Sequence, residues 1–594
     1  MSDQLMRYYE RELAYVRKAM AGFAARFPEQ AAQLQINQNS IEDPNITRLI
    51  DGMALLTAKT EQRLDAQLPE IVQGLLSILY PGYTELAPSY SALTLEPDPE
   101  QLNENVCLPA GSRVAVPLPG GGECQFSTRA ELNIYPFTLT AVSAEAAPFN
   151  FNVPGQLNNA EAVIQLSLAC CDPEGLFSQL QVGDFDFYVR GFEQNAASLI
   201  ELLLTRTEAI SLSDREGLNH RLVDAGRMRS RLADPGFQWL PRYGNQFEGF
   251  DLLRDYFTYP DKGAYFRIDG LGEELRRFDE NEVVLNLFVR QLPAEFLRLF
   301  DASVFRLNTV PAINLFEQQG EPLNYDFSRL SVPVVADAYA DSNLEVVSVA
   351  EVREVLPDGE RRLRPLYEAR YRQPDEVRQW QVRQRWDEIG QRRVELTLSS
   401  QEDELQQAGS IVLALDLWCS NGRSPCTLSA GSEVESLAAI DLPGPLKLLT
   451  APTAPLYPAL DNSLNWRFIA LLNANFSSLL QTDRPVQALQ EVLTLCSHGR
   501  TCRQAEAIRD VRYEQQVAAM HVCGANIFAT GTEVTLTLDA ESLGSQQALF
   551  SEVMNAFFQQ FCSFDRFMRL HVRHFGDDTN VRSFKPVHGS QLCL

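Results

Sequence analysis

The chain has 594 residues, 45 % hydrophobic and 22 % charged, with 78 acidic against 51 basic residues and a formal net charge of −27. These values fit a folded protein of about three to five domains. They argue against nucleic acid as a main partner, because a phosphate backbone needs clustered positive charge.

Residues 2–27 carry a heptad seam. Met6, Tyr9, Leu13, Val16, Met20, Phe23 and Phe27 are spaced alternately three and four apart, which puts them on one stripe of a helix. Arg7, Glu10, Arg11, Arg17 and Lys18 form the opposite, solvent-suited face, and Pro28 stops the helix. The stripe serves equally as the core face of a bundle within the chain or as a seam joining helices of different chains. Asp43-Pro44 reads as an N-cap followed by proline at the first helical position. Ile46, Leu49, Ile50, Met53, Leu56 and Leu64 then predict one apolar face. Pro69 is expected to open or kink a further helix containing Ile71, Val72, Leu75, Leu76 and Leu79, which Tyr80-Pro81-Gly82 ends.

From about residue 86 the texture changes to short alternating runs between Pro and Gly, the pattern of strands. Ser91–Leu95, Arg113–Val116, Leu132–Tyr135 and Ala162–Leu168 read as strands, and Gly120-Gly121-Gly122 as a turn. Residues 181–215 read as strand, helix, strand. Val377–Trp386 and Arg392–Leu398 flank a plausible hairpin turn at 387–390. Residues 456–515 and 540–565 read as helical, with strands at about 526–538 and 567–575. Ala110-Gly111-Ser112, Ala430-Gly431-Ser432 and Thr530-Gly531-Thr532 each read as a tight turn in which glycine supplies a positive φ. The expected class is a multidomain α+β protein. A helical region spans 1–85, β-rich modules span 86–330 and 331–455, and a mixed α/β module spans 456–594.

No 18-residue apolar run is present, so nothing is expected to insert in a membrane. The polar start Met1-Ser2-Asp3-Gln4 lacks the basic and apolar regions of a signal peptide, and the expected location is cytoplasmic. The 11 scattered cysteines fit reduced thiols.

Candidate chemistry is sparse. Cys496, His498, Cys502, His521 and Cys523 supply zinc-type ligands, but their spacing does not match the paired cysteines of standard fingers. His571 and His574 fall on opposite faces of an apparent strand. There is no Walker A sequence, no G-x-S-x-G, no GxGxxG after a strand and no HExxH. No cofactor, metal or catalytic residue is assigned. Only five of the basic residues are lysines; the rest are arginines, which favour protein interfaces but also follow from GC-rich codons. Between 361 and 393 arginines interleave with Tyr367, Tyr371, Trp380 and Trp386. Trp380, Val382 and Trp386 share one strand face, with Arg383 and Arg385 on the other. Arg378, Arg383 and Arg385 are candidate interface arginines. A zinc-binding enzyme and a single-strand nucleic-acid binder are the alternatives to a structural protein.

Thirteen segments stand in order along the chain: Tyr8–Tyr15, Phe23–Pro28, Asp43-Pro44, Arg48–Gly52, Leu68–Glu70, Leu75–Pro81, Leu108–Val114, Cys124–Thr128, Asp255–Lys262, Asn308–Phe316, Glu321-Pro322, Gly531–Val534 and Phe561–Phe564. Together they resemble the TssF family, VasA/ImpG-like subunits of type VI secretion baseplates related to phage J-like wedge proteins. Ser563 departs from the family, where asparagine is expected. The resemblance implies a non-enzymatic wedge component with two copies per TssG, joined by TssE, arranged around the VgrG spike and linked by TssK to the membrane complex. It implies a platform for tube and sheath growth, and an N-terminal seam shared between subunits. Joints that differ between the two copies are expected near 82–90 and 450–456.

Overall fold

The computed structural model describes residues 3–28, 44–102, 104–157, 160–192, 196–234, 236–243, 247–337, 344–368, 378–386, 392–400, 410–458, 462–472, 480, 483–498, 500, 502–522, 525–562, 566–577 and 579–588. Two compact units emerge: Met1–Leu76 with Leu460–Trp466, and Ser77–Ala459 with Arg467–Leu594.

The first unit is helical. A helix spans Asp3–Arg26, and the Phe27 amide still donates to the Phe23 carbonyl at 2.9 Å before Pro28 ends the run. A second helix, Pro44–Leu79, continues for 36 residues into the start of the second unit. Pro69 therefore does not open a new helix. An internal proline removes one backbone hydrogen bond and costs roughly 3 kcal/mol, which burial of Val72 and Leu76 on its C-terminal side offsets.

The second unit is built around a closed six-stranded barrel. Its strands, in spatial order, are Tyr90–Leu95, Thr309–Ile313, Glu123–Thr128, Arg113–Pro117, Glu433–Ser436 and Leu446–Leu448. Gly121 and Gly122, both at positive φ, make the turn between the strands Arg113–Pro117 and Glu123–Thr128. The chain leaves the barrel twice. Between 128 and 309 it forms a five-stranded sheet ordered His220–Val223, Thr207–Asp214, Glu282–Val289, Ala162–Cys170, Phe137–Ala146, and a four-stranded sheet that includes Asp186–Val189 and Tyr265–Ile268. Helix Ala197–Arg206 precedes strand Thr207–Asp214, as the alternation across 181–215 predicts. Between 313 and 433 the chain builds an eight-stranded sheet in which Arg378–Trp386 and Arg392–Ser400 lie antiparallel, with Trp386 opposite Arg392. The turn expected at 387–390 lies outside the described residues.

The C-terminal region departs from expectation at 508–515. These residues are not helical; they begin the strand Ile508–Val522, which pairs along its whole length with Ala525–Leu538. The latter runs parallel to Phe567–His574, and helix Gln547–Gln559 makes the crossover. Charged Arg509, Asp510, Arg512 and Glu514 mask the alternation that marks a strand. The three glycine turns also divide. Gly111 and Gly431 sit at φ +83° and +87° in equivalent turns, their amides donating to Thr128 and Leu448 carbonyls. Gly531 lies inside a strand, where the Phe567 ring and carbonyl press against it and leave no room for a Cβ.

The two expected joints are fastened to each other. Ala87 and Leu456 exchange backbone hydrogen bonds at 2.9 and 2.8 Å, and the Tyr90 amide donates to Thr453 Oγ1 at 3.0 Å. Leu86, Ala87 and Tyr90 are buried. The Pro and Gly residues that mark a loop in sequence here mark a tightly packed turn, Pro81–Thr84, whose Tyr83 ring stacks on Phe468 at 3.8 Å.

Candidate assembly surfaces

The Cys/His stretch forms a packed core feature. Cys496 ends the helix Pro485–Cys496 and is buried, and burial pushes its thiol pKa up. Burial likewise raises Cys502. His498 stacks against Tyr83 at 4.8 Å and is pushed down to about pKa 3, first by burial and then by Arg254 and Arg500. Such a group is a neutral imidazole at any physiological pH. Cys523 lies outside the described residues, as does the side chain of His521. Among the described residues no three His, Cys, Asp or Glu side chains come together as a metal site. His571 and His574 have separate partners, Ser583 Oγ at 2.8 Å and Gln547 at 2.6 Å.

Within the second unit, Tyr80 and Tyr83 take part in a buried polar cluster. Tyr80 donates to Asp251, which Arg242 approaches at 3.6 Å, and Tyr83 donates to the Leu495 carbonyl at 3.1 Å. Asp255 and Lys262 form a buried pair at 2.7 Å. Asp251 and the Asp255–Lys262 pair each stand beside an opposite charge, the condition under which buried charge is tolerated.

The arginine hairpin is half core and half surface. Trp380 is buried and donates from Nε1 to the Leu363 carbonyl at 2.9 Å, and Val382 packs on the same cluster. Arg378 is almost fully buried against Glu354, which Arg361 also contacts at 2.6 Å. Arg383 is half-buried, and its Nε finds no hydrogen-bond acceptor among the described residues. Arg385 is exposed and stands 3.9 Å from Glu395. Gln381 donates to Ser77 Oγ at 2.6 Å, tying this strand to the end of the long helix.

The N-terminal stripe is incompletely covered. Tyr9, Leu13, Val16, Met20 and Phe23 are half-buried, and Met6 and Phe27 are exposed. On helix Pro44–Leu79 the expected single apolar face splits in two. Ile50, Ala54 and Ala58 are buried, whereas Leu49, Met53 and Leu56 are exposed, Leu49 at 65 % and Leu56 at 67 %. Ala54 and Ala58, at i+4 and i+8 from Ile50, were the sequence signal for the buried side; counting only large residues merges the two stripes. The exposed residues stand at i, i+4 and i+7, one continuous apolar line on a helix.

The family model for the type VI secretion system protein TssF matches residues 1–591. The chain belongs to the TssF family. It is 25 % identical over its whole length to the type VI secretion system component TssF1 of Pseudomonas aeruginosa, which it also covers completely. A chain in the cryo-electron microscopy structure of the type VI secretion TssK-TssF-TssG baseplate subcomplex matches with a TM-score of 0.71 and 21 % identity. The match covers 92 % of this chain and 99 % of that one. A chain of a second structure, the baseplate complex from the type VI secretion system, matches with a TM-score of 0.53 and 19 % identity over 99 % and 100 % of the two chains. At those identities the two structures speak for a shared fold. Among the described residues no helix of this TssF-family chain is long and apolar enough to cross a membrane.

Proposed function

We propose that the chain is a non-enzymatic structural subunit of the type VI secretion baseplate, held with TssG and TssK in a wedge. In this reading two copies share one TssG, TssE completes the wedge, and wedges surround the VgrG spike as the platform for tube and sheath growth. The chain itself stays in the cytoplasm and reaches the membrane complex through other subunits. The observation that carries this reading is the line Leu49, Met53, Leu56 on a well-formed helix whose other face is buried. An exposed apolar stripe, like a half-covered heptad seam, is what a helix presents to helices of another chain. The seam Met6, Tyr9, Leu13, Val16, Met20, Phe23 and Phe27 supplies a second contact. On the second unit, Arg383 and Arg385 are candidate contacts for carboxylates of a partner.

Co-expression with the TssG subunit, followed by size exclusion and native mass spectrometry, tests this. The expected species holds two copies of this chain per TssG and is weakened by Leu13→Glu with Val16→Glu. A monomer without affinity for TssG refutes the reading.

A further inference from the structure

Beside His498 the second unit holds a small cavity. Gly82, Glu85, Tyr243, Arg254, Val347 and His498 line it, and the rest of its wall is apolar. The cation on this wall is Arg254. It projects from helix Glu248–Thr258 and is 6 % exposed. The carboxylates on its own helix are engaged elsewhere: Asp251 by Tyr80 and Arg242, and Asp255 by Lys262. Among the described residues the Arg254 Nε finds no hydrogen-bond acceptor. Its Nη1 takes the space that a Cβ on residue 82 would need, so glycine there leaves the guanidinium its place. A guanidinium does not lose its proton, so this is a permanent buried charge.

The opposite charge on the wall is Glu85. Tyr243 donates to Glu85 Oε2 at 2.8 Å, and the same hydroxyl meets Ser348 Oγ at 2.8 Å. Ser348 belongs to the strand Glu345–Leu356 of the eight-stranded sheet. Burial pushes the Glu85 carboxyl pKa up, while Tyr243 and Arg254 draw it down. His498 adds a neutral imidazole, with one ring nitrogen to donate and one to accept.

Size and chemistry select the occupant. The space open to the centre of a water-sized sphere is about 10 Å³, close to the least that holds one water molecule. A phosphate or an organic carboxylate does not fit. A halide ion is larger than water and would also face Glu85. Water accepts from a guanidinium and donates to a carboxylate or an imidazole, and a buried water needs two to four such partners. We propose that this cavity is a binding site for one ordered water molecule, which accepts from Arg254 and donates to Glu85. The water completes a buried chain from Arg254 through Glu85 and Tyr243 to Ser348. That chain ties helix Glu248–Thr258 to the eight-stranded sheet by way of the segment after the turn Pro81–Thr84. The site is independent of the assembly reading above.

The test fills the cavity from its apolar side. Val347→Ile adds one methylene, in the full-length chain and in Arg254→Met, with unfolding followed in urea. Displacing the water strands the Arg254 charge. The loss in the folding equilibrium constant is therefore expected to be about tenfold greater in the natural chain than beside Arg254→Met. Equal losses in the two backgrounds report crowding alone and overturn the site. A density map of the full-length chain that resolves ordered solvent decides the question separately, and does so even where Arg254→Met fails to fold. A peak within about 3.2 Å of an Arg254 nitrogen and of a Glu85 oxygen supports the site. No peak there, or a peak that bromide replaces, overturns it.

Discussion

Asn314 and Asn421, 107 residues apart, exchange hydrogen bonds: Asn314 Nδ2 donates to Asn421 Oδ1 at 2.7 Å, and the Asn421 amide donates to Asn314 Oδ1 at 2.7 Å. Asn314 also donates to the Gln125 carbonyl at 2.6 Å, and the Gln125 amide donates to Asn421 Oδ1 at 2.9 Å. Asn314 stands where the chain leaves the barrel for the eight-stranded sheet, and Asn421 where it has just left that sheet on its way back. The pair ties the exit and the return to a barrel strand. Both residues are buried, so each polar atom lost leaves its partner unsatisfied.

Asn314→Leu is expected to destabilise the chain by about 2–3 kcal/mol, from stranded acceptors and donors around Gln125 and Asn421. In a double-mutant cycle with Asn421→Ala the two losses are less than additive, because both remove the bond from Asn314 Nδ2 to Asn421 Oδ1. Urea denaturation of the four proteins measures this. Additive losses contradict the shared network.

Arg378→Gln is expected to cost roughly 2–4 kcal/mol, since Glu354 stays buried and, among the described residues, keeps Arg361 alone to balance it. Arg385→Gln, at an exposed site, shifts stability by about 0.5 kcal/mol or less. Thermal melts of the two variants separate a buried support from a surface charge.

His498 sets a pH dependence. Its folded pKa of about 3 lies below the ordinary 6.5. Between those values the unfolded chain binds a proton that the folded chain does not. The stability is whole above pH 6.5 and falls as the pH drops, by up to about 1.4 kcal/mol per unit. His498→Asn is expected to lose less stability than wild type between pH 7 and pH 5, by up to about 2 kcal/mol on the same scale. Denaturant midpoints at the two pH values that move in parallel contradict this origin.

Leu49→Glu with Leu56→Glu leaves the isolated chain's melting temperature nearly unchanged, because both side chains already face solvent. Co-purification with TssG is expected to fall at least tenfold. Retention of wild-type co-purification places the contact elsewhere.

Local pattern made much of the chain legible. Prolines and the 3.6 periodicity marked the helix Asp3–Arg26 and the start at Pro44. Alternation marked the strands Tyr90–Leu95, Arg113–Pro117, Ala162–Cys170 and the Trp380 hairpin. The expected α+β multidomain class rests on those signals, and the family rests on motifs spread in order over the whole length. The strand at 508–515 escaped because its charges face solvent on an edge. Gly531 misled because a glycine required by a neighbour's ring looks, in sequence, like one required by a turn.

The sequence by itself determined most of the helices and strands and the family they belong to, because periodicity, turn residues and motif order are local or linear properties. Only the tertiary structure decided that Ala87 and Leu456 pair and that Arg378 is buried while Arg385 is not. It alone split Leu49 from Ile50 on one helix. Those outcomes depend on which distant surface arrives against each residue, and the closure of the barrel by strands more than 300 residues apart, Tyr90–Leu95 against Leu446–Leu448, sets that arrangement.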